Sequence, residues 1–145
     1  PNIGCVEYSD GEQVRVADIP GIIEGAHQDR GLGLEFLRHI ERTSTLIYVI
    51  DAAETEGRSA KQDLLDLISE LDQYDPDLSK RPAFVVANKM DMVKKDEDSQ
   101  KVIEDLEDVA KSRGWGLVYF SALLGKGADV VACDMRRLLE NSKEE

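Results

Sequence analysis

The chain has 145 residues and a mass of 16.2 kDa, enough sequence for one domain with a real core. Its formal net charge is −12 at pH 7, and no third of it is net basic. That excludes coating DNA or RNA by charge alone, but it leaves nucleotides, whose phosphates backbone N–H groups and a metal can hold without a basic surface. The apolar runs are short, so none is expected to span a membrane, and no stretch at the start reads as a secretory signal. Two cysteines, Cys5 and Cys133, lack disulfide-scaffold or metal spacing and are expected to be buried free thiols in a reducing compartment. The first residue is Pro1 rather than Met, so the chain is expected to be part of something longer.

In chain order, Ile3 to Tyr8 predicts a strand, and Ser9-Asp10-Gly11 a hairpin turn into a second strand through Val14 to Ala17. Phe36, Leu37 and Ile40 predict a short helix. Leu46–Ile50 is a β-rich run ending at Asp51. Leu64, Leu67, Ile68 and Leu71 recur at helical spacing and predict a helix over Ala60–Tyr74. Asp75-Pro76-Asp77 reads as a turn. Ala83–Ala87 is a dense apolar run ending at Asn88, and Lys94–Asp98 reads as a solvated loop. Val102, Leu106, Val109 and Ala110 predict a helix, with Gly114 as its C-terminal cap. Leu117–Phe120 is another short run, ending at Ser121, and Val131, Met135 and Leu138 mark a last helix fraying into Asn141–Glu145. Dense short strands alternating with helices predict an α/β fold with a mostly parallel sheet and helices on both faces.

In such sheets ligands bind beyond the carboxyl ends of the strands. Three residue sets stand there: Asp18-Ile19-Pro20-Gly21, Asn88-Lys89-Met90-Asp91 and Ser121-Ala122. Asp18 can hold a Mg²⁺ through water, and Gly21 lets backbone approach a terminal phosphate. The Asp91 carboxylate can accept two hydrogen bonds, from the N1–H and 2-amino group of guanine. Adenine offers neither donor, so the carboxylate would be left unpaired. Asn88 can tie neighbouring loops together, and Lys89 can lay its methylene stem along a base while its ammonium stays wet. Ser121 and Ala122 can brace Asp91 and offer a backbone N–H to the guanine O6. Against this, a lone D-x-x-G is more often a turn, and Asn88 and Asp91 can serve as loop caps. Trp115 reads as strand entry, and Arg38, His39 and Arg42 as a solvated face.

These residues resemble the guanine-nucleotide-binding domain of the Obg family of GTPases. The diagnostic stretch runs from Val16 to Thr43, VADIPGIIEGAHQDRGLGLEFLRHIERT. Arg81-Pro82, the N-K-x-D tetrad and Ser121-Ala122 also fit, and the motif order argues against circularly permuted GTPases. The resemblance implies a Ras-like P-loop NTPase fold, with GTP or GDP held by Asp18, Ile19, Pro20, Gly21, Asn88, Lys89, Met90, Asp91, Ser121, Ala122 and Leu123, and with Mg²⁺ near Asp18. It implies a GTP-hydrolysing switch that assists assembly of the large ribosomal subunit. Its partners would be that subunit or its precursor, rRNA and proteins, with no membrane and no DNA. It would act inside the cell, in bacterial cytoplasm or mitochondrial matrix.

The sequence departs from the family in two places. The phosphate-binding loop G-x-x-x-x-G-K-[ST] is absent, as is the switch I threonine, so residues 1–145 are expected to be the C-terminal major part of one G domain, lacking its first strand, P-loop and first helix. The residue after Gly21 is Ile22, where Ras-type enzymes carry a water-orienting glutamine. The polar candidates to replace it are His27, Gln28 and Arg30, in a loop whose glycines suit an order–disorder switch. A second reading is a non-catalytic interaction module with a GTPase-like fold. A dinucleotide-binding domain ranks below both, because no G-x-G-x-x-G follows a first strand.

Overall fold

The computed structural model describes residues 3–19 and 41–143. Strand β1 (Ile3–Glu7) and strand β2 (Gln13–Ala17) form an antiparallel hairpin, with Val6 opposite Val14 and Gly4 opposite Val16. The turn closes through Tyr8 N–H to Glu12 O and Gly11 N–H to Tyr8 O. Gly11 takes φ +89° there, a conformation that favours glycine.

A second sheet is built from three parallel strands, β3 (Leu46–Asp51), β4 (Ala83–Asn88) and β5 (Gly116–Tyr119), in that spatial order. Parallel strands need long crossovers, and helices supply them. Helix α1 (Ala60–Tyr74) and the short α2 (Pro76–Ser79) join β3 to β4. Helix α3 (Glu97–Ser112) joins β4 to β5, and α4 (Ala128–Lys143) follows β5.

Both sheet faces are covered, which is why β4 reads as an unbroken apolar run. On one face Tyr48, Ile50, Val85 and Ala87 meet Leu64 and Ile68 of α1 and Leu106 of α3. On the other, Phe84, Val86 and Val118 meet Met135 of α4, and Val6, Val14 and Val16 of the hairpin pack there too. Tyr8 and Arg136 tie the hairpin to α4: the tyrosine hydroxyl donates to Ala132 O at 2.6 Å, and the guanidinium lies over the ring and pairs with Asp10. Among the described residues β2 and β3 do not pair, so the hairpin remains a sheet of its own.

Several expectations need correction. Asp75 does not simply turn the chain. Its N–H closes α1 on Leu71 O, and its carboxylate caps α2, with Pro76 in the first turn where a missing N–H costs nothing. The loop expected over Lys94–Asp98 is shorter, because the Asp96 carboxylate accepts Ser99 N–H and starts α3 at Glu97. Both cysteines are exposed rather than buried. Cys5 pairs with Arg15 on the hairpin face opposite the valines, and Cys133 sits off the α4 stripe of Val131, Met135 and Leu138. The helix expected at Phe36–Ile40 lies outside the described residues. No helix among them is long and apolar enough to cross a membrane.

Trp115 serves the core: it stacks on Tyr48 at 5.0 Å between ring centroids, with the Arg113 guanidinium over its own ring. The Tyr48 hydroxyl is buried without a hydrogen-bond partner among the described residues. Burial pushes its pKa from 10.0 up to about 12, against the opposing pull of Arg113. An unfolded tyrosine loses its proton near its ordinary value, whereas the folded one keeps it to the higher value. Stability therefore falls as pH rises through that window, by at most about 1.4 kcal/mol per pH unit from this group. Urea titrations at several pH values should show Tyr48→Phe neutral or stabilising at pH 7 and lacking this share of the alkaline loss.

Candidate functional site

The parallel register sets Asp51 beside Asn88, and Ala87 beside Tyr119. The C-terminal ends of β3, β4 and β5 therefore share one rim, and the loops leaving them meet. After Asn88 the chain reverses at Lys89, a non-glycine residue at φ +63°. A single 3₁₀ turn, Met90–Met92, follows, closed by Met92 N–H on Lys89 O. Met90 N–H also donates to Phe120 O, which staples this turn to the exit of β5.

Ser121 is the buried centre of the cluster, at 2% exposure. Its hydroxyl donates to Asp91 Oδ1 at 2.8 Å and accepts Leu124 N–H at 3.2 Å. Its own N–H donates to Lys126 O, so the Ser121–Lys126 loop folds back on itself. Gly127 closes that loop at φ +88°, where an added Cβ would stand 2.4 Å from Tyr119 O. Asn88 Oδ1 accepts Ala122 N–H at 3.1 Å, so the side chain ties the two loops together as expected. The same bond engages the N–H that was expected to face a base. Leu123, on the outside of the loop, is 82% exposed.

Lys89 differs from its expected role. Its ammonium is not simply wet: it donates to Thr55 Oγ1 at 2.8 Å and pairs with Asp51 Oδ2 at 3.2 Å. Asp51 Oδ2 also accepts Thr55 N–H and the Thr55 hydroxyl, and Oδ1 accepts Ala53 N–H. Burial pushes the Asp51 carboxyl up, but the bonds from Thr55, Lys89 and Ala53 outweigh it and hold the pKa below its ordinary value. Sequence reasoning passed over Asp51 and Thr55. The available signal was an aspartate at a strand end on the same rim, with a hydroxyl four residues on.

The structure thus brings together Asn88, Lys89, Met90, Asp91, Ser121 and Ala122. Asp18 stands exposed just past β2, in the other sheet, and Ile19 packs against the first core face. Pro20, Gly21, Ile22, His27, Gln28 and Arg30 lie outside the described residues. No cluster of three or more metal-ligating side chains occurs among the described residues.

What the rim presents is a carboxylate, Asp91, exposed to solvent yet fixed by a buried hydroxyl. A fixed acceptor of that kind suits a flat heterocycle with paired donors on one edge.

Residues 1–89 match a protein family described as 50S ribosome-binding GTPase. The chain is 42% identical over 144 residues to GTPase Obg of Protochlamydia amoebophila, covering 99% of this chain and 42% of that protein. It is 41% identical over 145 residues to GTPase Obg of Syntrophomonas wolfei, covering 100% of this chain and 33% of that one. Over 110 residues it is 51% identical to GTPase Obg of Anoxybacillus flavithermus, covering 75% and 26%. The chain thus spans about a quarter to two-fifths of the length of these curated relatives. A solved structure of nucleolar GTP-binding protein 1 from Plasmodium falciparum superposes with a TM-score of 0.67 at 18% identity, covering 98% of this chain and 71% of that one. That likeness bears on the fold, which is that of a P-loop GTPase.

Ser121→Ala should cost about 1–3 kcal/mol of stability, because it leaves Leu124 N–H without its acceptor and Asp91 without its donor. Urea unfolding of the variant against the parent measures this.

Proposed function

The chain belongs to the 50S ribosome-binding GTPase family, with GTPase Obg proteins among its relatives, and we propose that it is the guanine-reading part of a GTP-hydrolysing switch. The observation that carries this reading is the Ser121–Asp91 hydrogen bond at the meeting point of the β4 and β5 loops. It fixes one carboxylate oxygen and turns the group toward solvent, where guanine N1–H and its 2-amino group would both find an acceptor. Adenine offers no such pair of donors to the carboxylate. Asn88 holds the second loop in place, and Leu123 would lie against the open side of the base.

On this reading Asp18 is the metal-side carboxylate. One exposed carboxylate at a strand end fits Mg²⁺, which keeps most of its waters and takes few protein ligands. The ion would supply charge neutralisation at the phosphates. With Ile22 unable to orient a water, His27, Gln28 and Arg30 are the candidates for that task. Pro20 and Gly21 belong to the same segment, whose place is that of switch II. The partner is the large ribosomal subunit or its precursor, so the place of action is bacterial cytoplasm or a mitochondrial matrix. A non-catalytic module is disfavoured, because the relatives are named as GTPases.

Residues 1–145 are further read as the C-terminal major part of the G domain. Support comes from the strand order: β2 and β3 do not pair, and Val49 of β3 is 56% exposed. A further strand and helix belonging to the whole protein would fit between β2 and β3 and would bring the phosphate-binding loop.

Asp91→Asn in the whole protein swaps an acceptor for a donor opposite the 2-amino group. It should weaken GTP by about 2–4 kcal/mol and shift preference toward XTP. Competition binding with GTP, XTP and ATP tests this, and an unchanged preference for GTP would refute the base assignment. Residues 1–145 alone should bind GTP at least about a hundredfold more weakly than the whole protein, the scale of losing several charge-assisted phosphate contacts. Equal affinity by titration calorimetry would overturn the domain reading.

A further inference from the structure

Lys89 is held at both ends. At its Cα the left-handed backbone, φ +63°, fixes the direction in which the side chain leaves. At its tip the ammonium meets two oxygens on a different strand's loop, Asp51 Oδ2 at 3.2 Å and Thr55 Oγ1 at 2.8 Å. These two are themselves joined, since the Thr55 hydroxyl donates to Asp51 Oδ2 at 2.6 Å. The three groups form a closed triangle of hydrogen bonds, with two of the three ammonium protons directed to Asp51 and Thr55. The hydroxyl accepts from the lysine and gives to the carboxylate, as its single proton requires.

The loop that carries Asp51 and Thr55 is also anchored. Ala53 and Thr55 N–H groups bind the Asp51 carboxylate. Glu54, at φ +50°, turns its carboxylate onto Ala60 N–H at 2.7 Å, the first residue of α1. Ser59 accepts Gln62 N–H one turn further on. The lysine tip is thus fixed to the entrance of a helix packed on the sheet, rather than to a free surface chain. An exposed lysine–carboxylate pair is usually worth little. This one is half-buried, shares a hydroxyl and spans adjacent strands in register. Its consequence is geometric: the four-carbon stem runs from the backbone just after β4 to the Asp51 and Thr55 oxygens, so both of its ends are fixed.

We propose that Asp51, acting with Thr55, is a positioning residue for nucleotide binding: by holding the Lys89 ammonium it presents the lysine stem as the surface on which the purine ring lies. The inference rests on the guanine-nucleotide reading above. It places one determinant of affinity on a strand that contributes none of the base-reading motifs. Because the stem contacts the base and not the phosphates, GDP and GTP gain equally from it.

The test is a double-mutant cycle in the whole protein, read by the equilibrium affinity for fluorescently labelled GDP and GTP, with melting temperature as a control. Asp51→Asn should weaken both nucleotides by about fivefold to tenfold, and Lys89→Ala by at least as much. The double variant should be no weaker than Lys89→Ala alone, and Asp51→Glu, which still reaches the ammonium, should recover most of the loss. A purely structural role for Asp51 predicts instead that the two losses multiply, and that result overturns the proposal. So does an Asp51→Asn variant with unchanged affinity. If Asp51→Asn does not fold, Thr55→Val carries the same test: its loss must vanish in the Lys89→Ala background. A parent protein that does not prefer GDP over ADP overturns the functional reading itself. A parent with that preference and no coupling between Asp51 and Lys89 overturns only this inference.

Discussion

The parallel register of β3, β4 and β5 is the constraint on which the site depends. Asp51 lies beside Asn88 and Ala87 beside Tyr119, so three strands end at one level. Parallel strands need long crossovers, and here the helices that supply them cover both faces. The outcome is a β4 whose residues from Ala83 to Ala87 are all buried. Their backbone polar groups are satisfied by the neighbouring strands, and their side chains by α1 and α3 on one face and α4 on the other. A one-residue slip would exchange the side chains of the two covered faces and break the packing of both. The rim loops therefore start from fixed positions.

On that rim, order comes from short-range hydrogen bonds rather than from apolar burial. Ser121 uses its donor and its acceptor in one place, linking Asp91 to Leu124 N–H. Asn88 reaches across to Ala122, and Met90 reaches back to Phe120. Backbone stereochemistry makes these reaches possible. Lys89 turns the chain through the left-handed region, and Gly127 allows the returning loop to pass against Tyr119 O, where a side chain has no room. The carboxylate at the centre stays exposed because its partner, not itself, occupies the buried position.

The hairpin is held differently. Its valines pack on the second sheet face, while Tyr8 and Asp10 bind α4 through Ala132 O and Arg136. Asp18 leaves from the end of this hairpin, so its position is tied to α4 as well as to the sheet. Any ligand that engaged both Asp18 and the Asp91 cluster would bridge two separately hydrogen-bonded sheets, and its binding would depend on the packing between them.

Much of this was legible in the residues. Period and density of apolar positions gave the strands and the span of α1, because burial of a face imposes a repeat that a single sequence displays. That the tetrad Asn88–Asp91 and the pair Ser121-Ala122 meet on one rim was legible, because both follow the carboxyl ends of strands expected to lie parallel. Three things were not. The capping roles of Asp75 and Asp96 depend on which backbone N–H lies free at each helix start, and composition alone read those segments as turn and loop. The cysteines' exposure depends on which hairpin face meets α4 and on where the α4 stripe falls. The anchoring of Lys89 by Asp51 and Thr55 joins residues 38 and 34 positions apart. The sequence by itself determined which polar residues follow the strand ends; only the tertiary structure decided which aspartate holds the lysine, because that choice is made by the register of two parallel strands, and register is a property of the packed sheet rather than of either strand.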